Sequence, residues 1–254
     1  MTSISTGDVM ANASNEDLKP LVEYILKAST TESLSGKDIY KSHNPDHRRY
    51  ADEILDEIRL FGGNSFVNLF RSSGPDYHEV VKDVAQKFGV KDVDSFGLVQ
   101  LEEELIQKIL RDALKKAEGK ERADMEAILK EAGLGKSDLS ALLSGASLFT
   151  LLGARAAGVV TYQVSTIVAS AMAKQLLGYG IKLAAGGAAG AALGRGVAVF
   201  MGPVGWILTG VWTAIDLAGP AFRVTVPCVL HIAMLRQKMM CAQLSSVFEG
   251  AFDD

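Results

Sequence analysis

The chain has 254 residues, 48% of them hydrophobic, and a formal net charge of −4. That balance excludes a nucleic-acid protein carried by bulk electrostatics, and the length suits one large domain or two modest ones with a substantial core. The average hides a division at Ser137. Residues 1–136 hold 19 Lys+Arg and 25 Asp+Glu, whereas residues 137–254 hold 7 and 5. From Leu139 to Lys238 the only acid is Asp216, against seven bases.

The first residues are small and polar, and residues 1–14 are expected to be a disordered N-terminus. They lack both the basic and the apolar region of a secretory signal, which predicts a reducing cytoplasmic setting for the two cysteines, Cys228 and Cys241. These lie 13 residues apart on what reads as one helix, so they cannot pair with each other. Asn15 is the expected cap of a helix from Glu16 to about Ala28, followed by a Ser/Thr-rich loop. A helix starting near Asp46 carries Tyr50, Ile54, Ile58 and Phe61 on one stripe. Gly62-Gly63 ends it, and Asn64 is placed to cap "SFVNLFR". Further helices are expected over "DYHEVVKDVAQKF", closing at Gly89, over "LVQLEEELIQKILRDALKKA", and from Glu121 to Ala132. In the longest of these Leu98, Leu101, Leu105, Ile109 and Leu114 form the apolar face, which leaves the carboxylates of "LEEEL", like those of "DEILDEI", facing solvent. No period-two stretch predicts a sheet. The fold class is all-α: an acidic amphipathic helical bundle over residues 15–136, packed with a hydrophobic, Gly/Ala-rich helical region over residues 137–254.

In that second region an uncharged run of 18 residues lies between Arg155 and Lys174, and one of 20 between Arg195 and Asp216. Both reach the lower bound for a membrane-spanning helix. A last helix is expected to start with Thr225 as cap and Pro227 in its first turn. Gly186, Gly190 and Gly194 repeat every fourth residue and give one helix face without side chains, on which a second helix packs closely. A constitutive two-span topology would carry Lys174, Lys182 and Arg195 to the far side with no compensating acid, against the positive-inside rule. A hairpin with its tip at Gly202-Pro203, lying in the interface or inserting conditionally, fits better. Trp206 and Trp212 suit a headgroup boundary, and the bases suit anionic lipid.

Other chemistry is weak. His43 and His47 have a spacing used for metals, but Pro45 interrupts the helical register between them, and no metal or cofactor is expected. "AGLGKSD" ends like a phosphate loop, yet Lys130 stands where its first glycine belongs, and Ser137 reads as a helix cap. No catalytic arrangement is suggested, and Cys228 and His231 read as core or interface residues.

The blocks "HRRYADEILDEIRLFGGNSFVNLFR" and "YHEVVKDVAQKFGV", with "GPAFRVTVPCVLHIAMLR" near the end, resemble the bacterial YaaW-type family of uncharacterised proteins. The N-terminal helical region of that family is similar to the ubiquinol–cytochrome c chaperone domain, which implies a helical fold and offers no catalytic residues to carry over. The leading expectation is a non-enzymatic helical protein at the anionic cytoplasmic face of the inner membrane. A chaperone or assembly factor holding a protein client, or forming a homo-oligomer, is the alternative. A membrane-permeabilising effector is the third, and none of the three involves nucleic acid.

Overall fold

The computed structural model describes residues 4–27, 32–62, 74–131, 134–180, 202–205, 207, 210 and 220–250; at 149, 152–157, 220 and 244–250 it describes the backbone alone. Every regular element among them is helical: α1 (Thr6–Asn12), α2 (Asn15–Lys27), α3 (Asp38–His43), α4 (Ala51–Gly62), α5 (Tyr77–Lys87), α6 (Leu98–Lys116), α7 (Gly119–Glu131), α8 (Lys136–Leu143), α9 (Leu148–Leu177) and α10 (Pro220–Gly250). The fold is all-α, as the periodicity predicts.

The sequence stripes are the buried faces. Tyr50, Ile54, Ile58 and Phe61 are buried, and so are Leu101, Leu105, Ile109 and Leu114 of α6. Gly89 follows α5 with φ of +74°, a left-handed conformation that glycine adopts without steric cost. The centre of the molecule is α10. It packs along α9 and also touches α1, α2, α4, α5 and α6. Every residue from Val224 to Gln237 is buried, as expected of a helix surrounded on all sides. The acidic and apolar regions therefore share one core.

Several local expectations need correction. Residues 6–12 are helical because Ser5 and Asp8 form a reciprocal cap: Ser5 Oγ accepts the Asp8 N–H at 3.1 Å, and the Asp8 carboxylate accepts the Ser5 N–H at 3.0 Å. Val9 and Met10 are then fully buried, where α1 meets α4 and α10. Ser14, rather than Asn15, caps α2 in the same way with Asp17. Asn15 instead ties α2 to the turn before α4, donating to Asp46 and accepting the Arg48 N–H. At α8 the Asp138 carboxylate accepts the Gly135 N–H, so Ser137 is not the cap. α10 begins at Pro220, ahead of Thr225, and Pro227 is an interior residue. In its first turn Phe222 packs under the Lys87 ammonium, 4.8 Å from the ring centroid.

The carboxylates give the largest correction. Glu57, Glu102 and Glu103 are buried; the two on α6 are so because that helix is covered by α5, α8, α9 and α10 together and its interior is wider than one leucine stripe. Glu57 accepts both the Ser33 N–H and its hydroxyl at 2.6 Å.

The packing of α4 on α5 gives a stability test. A Cβ at Gly62 would lie 2.5 Å from Val80 Cγ2, whereas one at Gly36 would meet nothing within 4 Å. In urea titrations Gly62→Ala is expected to lose about 1–3 kcal/mol, more than the roughly 0.5–1 kcal/mol gained by removing a helical glycine. Gly36→Ala should be neutral or gain about 0.4–1 kcal/mol. Equal midpoints for the two variants would contradict the close approach.

Candidate functional site

The chemistry-bearing residues of α10 form a buried polar seam against the N-terminal helices. Arg236 is its centre. Its Nε donates to Glu102 Oε2 at 2.6 Å and its Nη2 to Glu102 Oε1 at 3.2 Å. Nη1 donates to the Ile4 carbonyl at 2.6 Å, and Nη2 also to Thr6 Oγ1 at 2.9 Å. Neither side chain of the ion pair is exposed at all. One guanidinium fork thus holds the segment leading into α1, α6 and α10 together. Burial opposes the charge of Arg236, but Glu102 outweighs it and keeps the guanidinium protonated. Burial also raises the Glu102 carboxyl, with Arg236 opposing. It raises the neighbouring Tyr77 phenol as well, with Glu102 adding to the effect.

Next along α10, Gln237 Nε2 donates to Glu103 Oε1 at 3.2 Å. Burial pushes Glu103 up to about 7 despite that bond. Six residues earlier, His231 Nε2 lies 2.7 Å from the Asp17 carbonyl, the fully buried ring edge-on to Tyr24. A carbonyl only accepts, so Nε2 carries the proton. Burial holds the ring down to about 4. Lys238 donates to both Asp17 oxygens, at 2.9 and 2.8 Å. Burial alone would raise Asp17, but Lys238 and the Ser14 cap bring it below its usual value. These groups fasten one helix to its coat. Among the described residues no set of three or more His, Cys, Asp or Glu is arranged to hold a metal. His43 is exposed and His47 is buried.

The residues singled out in the apolar region are only partly brought into view. Lys174 is exposed near the end of α9. That end is held to α2 by Lys27 donating to the Leu176 carbonyl and Tyr179 donating to Glu23. Gly202 and Pro203 are helical, with Pro203 buried; the arms of the hairpin expected to meet there lie mostly outside the described residues. Gly202 lies against Glu121 of α7. Lys182, Gly186, Gly190, Gly194, Arg195, Trp206 and Trp212 lie outside the described residues. Among the described residues no helix is long and apolar enough to cross a membrane. Within the uncharged run 156–173, every residue from Val164 to Ala173 is buried by protein.

The seam makes stability pH-dependent in two opposing ways. A carboxyl raised in the fold favours the protonated form, so the Glu103 contribution is present below its ordinary 4.5 and is lost as pH rises to about 7. A depressed imidazole favours the neutral form, so the His231 contribution is present above 6.5 and is lost as pH falls to about 4. Urea unfolding from pH 4 to 8 is expected to show Glu103→Gln removing the loss on the rising limb and His231→Gln the loss on the falling limb. A wild-type profile in either variant would contradict its assignment.

Compared with known proteins, the chain is 38% identical over 210 residues to a UPF0174 protein of Helicobacter pylori strain J99, covering 82% of this chain and 79% of that one. It is 34% identical over 212 residues to a UPF0174 protein of H. pylori strain 26695, covering 82% and 98%. With the UPF0174 protein YaaW of Escherichia coli K12 it shares 28% identity over 221 residues, covering 86% and 85%. No family model matches the chain, and no solved structure does. The expected likeness to the ubiquinol–cytochrome c chaperone domain has no match behind it. The agreement over four-fifths of the sequence, through both the acidic and the apolar regions, shows that the chain belongs to the UPF0174 family.

Proposed function

We propose that this protein stores apolar helical sequence inside a charged helical coat and presents it to an anionic membrane surface, at the cytoplasmic face of the inner membrane. The observation that carries the reading is the state of α9. Ten consecutive residues of its uncharged run, Val164 to Ala173, are buried by protein. Of the seven bases from Leu139 to Lys238, Arg236 and Lys238 are taken up in the seam; the excess of the other five over Asp216 supports anionic lipid, at about 1 kcal/mol per Lys or Arg near the surface. The polar seam is what release would have to break. Its ionic ties are strong while dry and weaken once water reaches them.

Flotation on a density gradient tests this, with vesicles of phosphatidylcholine alone and of phosphatidylcholine with phosphatidylglycerol. The wild-type protein is expected to float only with the anionic vesicles. Arg236→Met leaves Glu102 buried without its partner, should cost about 3–5 kcal/mol in urea unfolding, and is expected to float more completely. Protein that stays at the bottom in every case, the variant included, would sink the membrane reading.

A further inference from the structure

At the end of α9 the molecule carries a basic surface that the seam does not use. Gly178 closes the helix: its N–H donates to the Lys174 carbonyl at 3.1 Å, and its φ of +83° is a left-handed turn that glycine takes without steric cost. That turn lays Tyr179 across α2. The Tyr179 hydroxyl donates to Glu23, and its ring centroid lies 5.7 Å from the Lys19 ammonium. Lys27, in the last turn of α2, donates to the Leu176 carbonyl. The two helices are thereby fixed side by side, with Lys19, Lys27 and Lys174 exposed around the junction.

The surface joins positive charge to apolar area. Tyr179 is 37% exposed, and Leu26, Leu176 and Leu177 beside it are only half-buried. Three ammoniums face Glu23, whose carboxylate already accepts from Tyr179 and lies 3.8 Å from Lys19; Glu16 stands a turn beyond. The chain that continues from Tyr179 adds Lys182 and no acid before Asp216. Lysine carries a charged head on an apolar stem, and tyrosine a polar tip on an apolar ring. A lipid surface satisfies both halves of that pattern. Its phosphates meet the ammoniums, and the level just beneath them receives the ring and the leucines.

We propose that this end of the molecule, the rim of α2 and α9 around Tyr179, is the face that docks on anionic phospholipid headgroups. The inference rests on the membrane reading above and gives it a place. Docking here brings the end of α9 to the lipid while the seam is still closed, so attachment precedes release.

The test is cosedimentation of the full-length protein with vesicles of phosphatidylcholine and phosphatidylglycerol over a series of salt concentrations. A lysine near such a surface contributes about fivefold in affinity. Lys27→Gln and Lys174→Gln should therefore each weaken binding about fivefold, and together roughly twenty-five-fold, with a shallower salt dependence. Glutamine keeps a donor for the Leu176 carbonyl, and urea midpoints close to wild type will show that the fold is kept. Tyr179→Ala should weaken binding at high salt as well as low, because its contribution is apolar. The control is Lys91→Gln with Lys130→Gln, exposed lysines outside α2 and α9, which should stay within about twofold of wild type. Binding that falls no further in the Lys27/Lys174 double variant than in the control pair overturns this docking face and leaves the membrane reading standing. Wild-type protein that does not sediment with the anionic vesicles at all overturns both.

Discussion

A buried guanidinium imposes the strictest constraint on this fold. Arg236 and Glu102 are both withdrawn from water, and such a pair is tolerable only when every remaining donor and acceptor is met. Here the Ile4 carbonyl and the Thr6 hydroxyl meet two of the three N–H groups that Glu102 leaves over. Residues 230 or more positions apart in the chain must therefore be in place together, and α10 cannot take its register without α1 and α6. A pair of this kind adds little net stability compared with well-packed apolar residues. What it supplies is a penalty against wrong arrangements, since any shift of α10 leaves a dry charge unpaired.

The same logic orders the rest of the seam. His231, Gln237 and Lys238 each reach a residue of α2 or α6, so successive turns of α10 are tied to different parts of the coat. On its other side α10 lies against α9, which has no comparable ionic ties among the described residues. One face of the central helix is fixed by directional bonds, and the other by burial of small and branched residues such as Val164, Val168 and Ala171. A helix pair joined in this way can part from its coat only after the seam is hydrated. That is the physical sense that the proposed storage of apolar sequence would have.

Much of the fold was legible from periodicity, because one buried stripe per helix is what a 3.6-residue repeat reports. The stripes of α4 and α6 and the stop at Gly89 are examples. The burial of Glu102 and Glu103 was not legible, since a helix enclosed by four neighbours buries residues well outside its stripe. The helix α1 was hidden by its short polar sequence, although the Ser5–Asp8 spacing of a capping box was there to be read. For the seam the available signal was inverse: a lone Arg, Gln and Lys in the apolar run "LHIAMLRQKMM" implies buried partners, because such side chains are seldom buried unpaired. The glycine repeat at 186–194 falls outside the described residues, so its role as a packing face is untouched by these contacts.

Trp206 and Trp212 are the only tryptophans in the chain, and both lie in the long uncharged stretch between Arg195 and Asp216. Their emission is therefore a direct report on where that stretch goes. The decisive measurement is intrinsic fluorescence of the wild-type protein with anionic vesicles whose acyl chains carry bromine, a quencher effective only at contact. Storage and delivery of apolar sequence to a membrane predicts a blue-shifted emission that is quenched by the brominated anionic lipid and unaffected by brominated phosphatidylcholine. Emission that keeps its intensity and wavelength at saturating anionic lipid would contradict it.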